Sequence, residues 1–116
     1  MDDSSSPDCL FCKIVKGIIP SNFIYEDDTV VAFPDISPVA PVHFLIIPKQ
    51  HFVSIMDVPV ELIGLVHQAT RDIVHQEGLA TRGFRLVNNC GSDGGQVVQH
   101  VHWHLLAGRK LTWPPG

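Results

Sequence analysis

A chain of 116 residues fits one domain with a genuine core and is short of two. Its hydrophobic content of 45 %, charged fraction of 17 % and net charge of −4 describe an ordinary globular protein, and eight scattered basic residues serve counterion release on nucleic acid poorly. No apolar run reaches the roughly 18 residues of a membrane span, and MDDSSSP is acidic and polar where a signal peptide is basic and then apolar, so a cytoplasmic protein is expected.

Residues 1–8 offer nothing to bury and read as a disordered tail, leaving residues 9–116 as a single domain. From Cys9 to Lys16, Leu10, Phe11, Ile14 and Val15 recur at helical intervals before Gly17 and Pro20, which predicts one or two helical turns. Phe23–Glu26 and Thr29–Pro34 are β-rich runs parted by Asp27 and Asp28, the pattern of a hairpin. His43–Pro48 is almost continuously apolar, as in a central strand covered on both faces. Between Pro59 and Glu77, Leu62, Val66, Ala69 and Ile73 step by four, three and four, predicting one long helix with Asp57 as its cap and Gly78 as its stop. Gly83–Asn89 reads as a further strand, Gly91–Gly95 as a turn, and HVHWH at residues 100–104 as a last strand. Hairpin-joined strands with one long helix and no βαβ alternation make an α+β fold with a mostly antiparallel sheet. The tail, Thr112–Gly116 (TWPPG), is barred from helix by its prolines, so Trp113 either packs back on the chain or onto a second copy.

His100, His102 and His104 alternate with Val101, Trp103 and Leu105, so a strand would carry the imidazoles on one face, neighbours roughly 6–7 Å apart. Metal ligation, general acid/base work and nucleophilic attack by a neutral imidazole are all open to such a face, as is a solvent face that happens to be histidine. The glycine loop GSDGGQ directly upstream brings backbone amides near the same face, which favours an anionic oxygen and hence phosphate chemistry. Cys9 and Cys12 form a CxxC pair that two histidines would complete as a Cys₂His₂ metal site. His51, just after the central strand, is well placed for it and His100 can share it, while His67 and His75 fall on the solvent side of the long helix.

With these residues assembled, the chain resembles the histidine triad (HIT) family, in the branch of nucleotide-binding proteins that act as purine nucleoside phosphoramidases, zinc-containing bacterial type. The resemblance is carried by FCKIVKGIIPS, YEDDTVVAFPDISPVAPVHFLIIPK, NNCGSDGGQ, HVHWHLLAGR and WPPG, which together run from Leu10 to Gly116. It implies a five-stranded antiparallel sheet with one long and one short helix, continued across a homodimer, with Trp113 near the partner's site. It also implies hydrolysis of P–N bonds in AMP or GMP derivatives through a nucleotidyl-histidine intermediate. By the same resemblance His102 is the nucleophile, His104 the residue that hydrogen-bonds phosphate and helps proton movement to the leaving amine, and His43 a supporting histidine. Asp35 matches the ribose ligand, Phe11, Ile14 and Ile36 the base pocket, and Asn89, Gly95, Gln96 and Val97 the phosphate side. Cys9, Cys12, His51 and His100 match a structural zinc site. Family rivals are diadenosine polyphosphate hydrolysis and nucleotidyl transfer. A nucleotide-binding regulatory protein with little turnover is a third reading, because Val97 stands where many members carry a Ser or Thr hydroxyl.

Overall fold

The computed structural model describes residues 6–116. Of the expected tail, residues 1–5 lie outside the described part, and Ser6–Cys9 make a turn closed by the Cys9 N–H on the Ser6 carbonyl at 3.1 Å. A short helix α1 (Leu10–Val15) follows, then strands β1 (Tyr25–Glu26), β2 (Val30–Pro34) and β3 (Val42–Pro48), the long helix α2 (Val60–Gln76), and strands β4 (Arg85–Asn88) and β5 (Trp103–Ala107). All five strands form one antiparallel sheet in the order β1-β2-β3-β5-β4, with β3 in the middle as its apolar run requires.

Both faces of the sheet are covered, and residue parity decides which side chain meets which helix. Val30, Ala32, Ile46, Trp103 and Leu105 face α2, where they pack with Val66, Ala69, Ile73 and Val74. The alternate residues Val31, Phe33, Leu45 and Ile47 face α1 and pack with Cys9, Phe11, Cys12 and Ile14. On this second face β3 carries His43 and β5 carries His104, because Leu45 is paired with His104 and His43 with Leu106. The histidines therefore share a layer with α1, which is why a helix of only six residues matters to the site.

Two expectations need correction. Asp57 does not cap α2: Pro59 occupies that position without a side-chain bond, and Asp57 instead closes a capping box with Ser54 on a separate 3₁₀ turn, Ile55–Asp57. A proline at residue 59 sets an extended entry, so the acidic cap serves the turn before it. Nor do the three histidines share one regular strand, since only His104 lies within β5. The ladder pairs Ile46 with Trp103 and stops there. Continuing it would bring in Pro48, which has no N–H, and the Val101 N–H donates to the Phe52 carbonyl at 2.7 Å instead.

Ile46 is fully buried at the centre of β3 and touches the α2-side core. Ile46→Ala is expected to lower stability by about 2–5 kcal/mol, with Val60→Ala, at an exposed helix start, changing it by less than about 0.5 kcal/mol. The midpoints of urea unfolding curves at unchanged slope would check this pair.

Candidate active site and metal centre

His102 is 6 % exposed, and its Nδ1 lies 2.7 Å from the His100 carbonyl oxygen. A carbonyl can only accept, so Nδ1 carries the proton and Nε2 keeps a free lone pair. Burial lowers the His102 pKa below the ordinary histidine value, against the pull of its own hydrogen bond to His100 and of the Asp35 charge, and so keeps the ring neutral at pH 7. Phe11 meets the ring edge-on at 5.1 Å between centroids and fixes its plane. A neutral imidazole with an aimed lone pair is a nucleophile or a base.

A second backbone group sets the other pair. The Val39 N–H donates to His43 Nδ1 at 3.1 Å, so His43 carries its proton on Nε2 and donates it to His104 Nδ1 at 2.9 Å. His104 then holds its own proton on Nε2, away from His43. Burial depresses the pKa of both rings, with the Asp35 carboxylate opposing; its Oδ2 lies 3.5 Å from His43 Nε2. Two adjacent imidazoles are thus locked into opposite roles, His102 offering a lone pair and His104 an N–H.

His102 and His104 open into a cavity of about 330 Å³ that also touches Phe11, Asp35, Asn89, Gly95 and Val97. An adjoining apolar cavity of about 280 Å³ is walled by Leu10, Phe11, Ile14, Phe33 and Ile36, with Asp35 where the two meet. Phe11 and Ile14 are buried there, whereas Ile36 is 99 % exposed and forms only the rim. Asp35 is steadied by the Ser37 N–H on Oδ1 at 2.8 Å, with Oδ2 on the side of His43 Nε2, and the residue lines both cavities. The glycine loop is a tight turn: a side chain at Gly94 would collide with the Cys90 carbonyl, and Gly95 has φ +80, a conformation other residues rarely adopt.

Not every residue assigned to the phosphate side reaches it. Gln96 is 9 % exposed and points inward: its amide donates to the carbonyls of Val53 and Val98 at 2.6 and 3.1 Å, and its oxygen accepts from the Gly91 N–H at 3.0 Å. It braces the loop and is absent from the cavity wall. Asn89 lines the wall while donating to the Gly94 carbonyl at 2.7 Å, so it too shapes the loop. Val97 is 87 % exposed, and its side chain offers only apolar surface beside the histidines. Trp113 is 80 % exposed and lines neither of these two cavities. Sequence reasoning overlooked Asn88, whose side chain donates to the His102 carbonyl at 3.0 Å and ties β4 to the residue before β5. Only the NN dipeptide at the end of a strand hinted at it.

The second cluster joins Cys9, Cys12, His51 and His100, whose donor atoms all lie within 4.8 Å of one another. Cys9 Sγ is 3.4 Å and Cys12 Sγ 3.5 Å from His100 Nδ1, Cys12 Sγ is 3.3 Å from His51 Nδ1, and the two Nδ1 atoms are 3.2 Å apart. A tetrahedron with Zn–S near 2.3 Å and Zn–N near 2.0–2.1 Å has S···N edges of about 3.5 Å and an N···N edge of about 3.3 Å. His100 Nε2 donates to the Pro48 carbonyl at 2.9 Å, so its Nδ1 lone pair points into the cluster, the orientation a metal ligand needs. Burial, aided by His51 and His102, pushes its pKa down to about 4, and burial raises that of the Cys12 thiol. The donor set thus fits a closed four-coordinate metal site of zinc type, and its four members are those the CxxC reading named.

The comparisons with known proteins agree with this geometry. Residues 16–111 match the HIT domain model. The 14 kDa zinc-binding protein of Zea mays is 43 % identical over 121 residues, covering 100 % of this chain and 91 % of that protein. The purine nucleoside phosphoramidase of Escherichia coli (strain K12) is 46 % identical over 105 residues, 88 % of each chain. The crystal structure of a HIT family hydrolase from Legionella pneumophila Philadelphia 1 superposes with a TM-score of 0.90 at 49 % identity, over 94 % of this chain and 100 % of that one. From the matched domain, the shared sheet and the paired imidazoles together, it follows that this chain belongs to the HIT family.

Proposed function

We propose that the chain is a purine nucleoside phosphoramidase that hydrolyses the P–N bond of AMP or GMP derivatives. The observation that carries this reading is the His102 Nδ1–H held by the His100 carbonyl at 2.7 Å, which leaves Nε2 free in a cavity that opens toward an apolar slot and a carboxylate. The slot suits a purine between Phe11 and Ile14, and Asp35 suits the two ribose hydroxyls as an acceptor. His102 Nε2 then bonds to the α-phosphorus while the P–N bond of the amine breaks. His104, through Nε2, bonds the phosphoryl oxygen and helps deliver a proton to the departing nitrogen. Water next attacks phosphorus and gives up a proton that restores His104 Nε2–H, the His102–phosphorus bond breaks to return the Nε2 lone pair, and the nucleoside monophosphate leaves. The Val97 N–H, which has no acceptor among the described residues, stays available to a phosphoryl oxygen.

Cys9, Cys12, His51 and His100 hold a zinc ion in this reading, a structural one because all four positions are protein ligands. Its chemistry is confined to cross-linking three chain segments. A homodimer completes the proposal: edge strand β4 has Leu86 and neighbouring Phe84 exposed, and the Trp113 indole lacks a cover. Among the described residues no helix is long and apolar enough to cross a membrane.

Incubation with adenosine 5′-phosphoramidate tests the activity: AMP, followed by phosphorus NMR, and ammonia, by a coupled assay, should appear in equal amounts, and the phosphoramidate should be consumed faster than diadenosine tetraphosphate. Binding of AMP without turnover of either compound would instead favour the regulatory reading, to which the missing hydroxyl at Val97 lends weight.

The pH profile gives a further check. Protonating His43 would put a hydrogen on Nδ1 against the Val39 N–H, and protonating His104 would put one on Nδ1 against the His43 Nε2–H and break the relay. Because burial lowers the pKa values of His43 and His104, kcat is expected to hold at pH 7 and to fall on the acid side of the ordinary histidine range. Asp35 raises both values, so in Asp35→Asn the acid limb of kcat should move to still lower pH. A limb that moves upward would contradict the assignment.

A further inference from the structure

We propose that the metal centre is what assembles the nucleotide pocket: it ties α1, which supplies the purine-side wall, to the backbone carbonyl that aims His102. The inference rests on the reading of His102 as nucleophile and of the adjoining slot as the base site. Helix α1 has six residues and no acidic side chain in its first turn, too short to hold its shape alone. Its cap is the Cys9 sulfur, accepting the Cys12 N–H at 3.3 Å, so the cap and the residue it caps are both members of the metal cluster. Between them sits Phe11, which contacts His100 and His102 edge-on at 5.9 and 5.1 Å.

The other two ligands come from separate segments. His51 follows β3, and His100 is joined to the end of that strand through the Pro48 carbonyl at 2.9 Å. The backbone oxygen of His100 is the same atom that holds the His102 proton at 2.7 Å. One ligand residue thus faces the cluster with its ring and the nucleophile with its carbonyl. Without a cation, the four groups are left with sulfur–nitrogen contacts of 3.3–3.5 Å, weak neutral hydrogen bonds in place of four metal–ligand bonds. The three segments then separate, the Phe11 wall loosens, and His102 loses the acceptor that fixes its tautomer. Cys12 and His100 are on this account positioning residues.

The test compares zinc-loaded protein with protein stripped by a chelator, using two readouts besides hydrolysis: AMP affinity, and the ring Nδ1–H proton resonance of His102, identified by its loss in His102→Ala. Removing zinc is expected to raise the AMP Kd at least tenfold and to abolish the resonance, with the far-ultraviolet circular dichroism largely kept. Ile73→Val, which weakens the opposite core, should lower the melting temperature and leave both readouts unchanged. Should stripped protein unfold, the osmolyte trimethylamine N-oxide restores compactness, and the same comparison is made there. Unchanged AMP affinity and a retained resonance in folded, zinc-free protein would overturn the inference. If zinc-loaded protein fails to bind AMP, the nucleotide reading fails, while the resonance still reports whether the metal holds His102.

Discussion

His102→Ala is expected to reduce phosphoramidate hydrolysis by on the order of 10⁴ to 10⁶, the range seen when a nucleophile that works as part of a unit is removed. The affinity for AMP should stay within about threefold, because the purine slot and Asp35 supply ground-state binding that the imidazole does not. The two effects separate because Nε2 bonds to phosphorus only as the P–N bond breaks. The His100 carbonyl and Phe11 would lose their partner, so a small loss of stability accompanies the change. Denatured wild-type protein from a rapidly quenched reaction should carry one covalent nucleotide at His102, visible as a mass increase. A full-rate variant, or a covalent nucleotide placed elsewhere, would remove the nucleophile assignment.

Zinc removal should have the largest effect on stability. A site that binds metal in the folded chain alone adds about 4.1 kcal/mol when free metal exceeds its dissociation constant a thousandfold. For a domain of this size that corresponds to a melting temperature lowered by roughly 10–20 °C. Cys12→Ser should produce most of the same loss without a chelator, and added zinc should then fail to restore it. The core between the sheet and α2 contains no member of the metal cluster and remains, so a cooperative transition is expected even without metal. Calorimetry with and without chelator, alongside elemental analysis of protein purified without added metal, measures this directly; a metal-free native protein with an unchanged transition would remove zinc from the account.

Much of the architecture follows from local chemistry. The almost continuous apolar run at His43–Pro48 suits a strand covered on both faces, and it lies in the central strand. The step pattern through Leu62, Val66, Ala69 and Ile73 fits one face of one helix and nothing else, while His67 and His75 fall outside it and are exposed. CxxC named two members of the metal cluster from spacing alone, since a sulfur pair at that spacing suits a metal. Those signals are short-range, and neighbouring residues carry them.

What the chain order could not disclose was decided by the groups the fold sets against each ring, some neighbouring and some more than 50 residues away in sequence. The alternation in HVHWH suggested three equivalent imidazoles, yet they divide into a cluster member, a lone-pair donor and an N–H donor. The division comes from the Pro48 carbonyl on His100, the His100 carbonyl on His102, and the Val39 N–H relayed through His43 to His104. Gln96 looked like a phosphate ligand until the Val53 and Val98 carbonyls claimed its amide. By itself the sequence determined which residues are apolar, which can turn and which can ligate, because those properties belong to single side chains and their spacing. Only the tertiary structure decided where each triad histidine keeps its proton, because a ring nitrogen takes its role from the group it meets: a carbonyl 52 residues away for His100, and for His104 a ring 61 residues away.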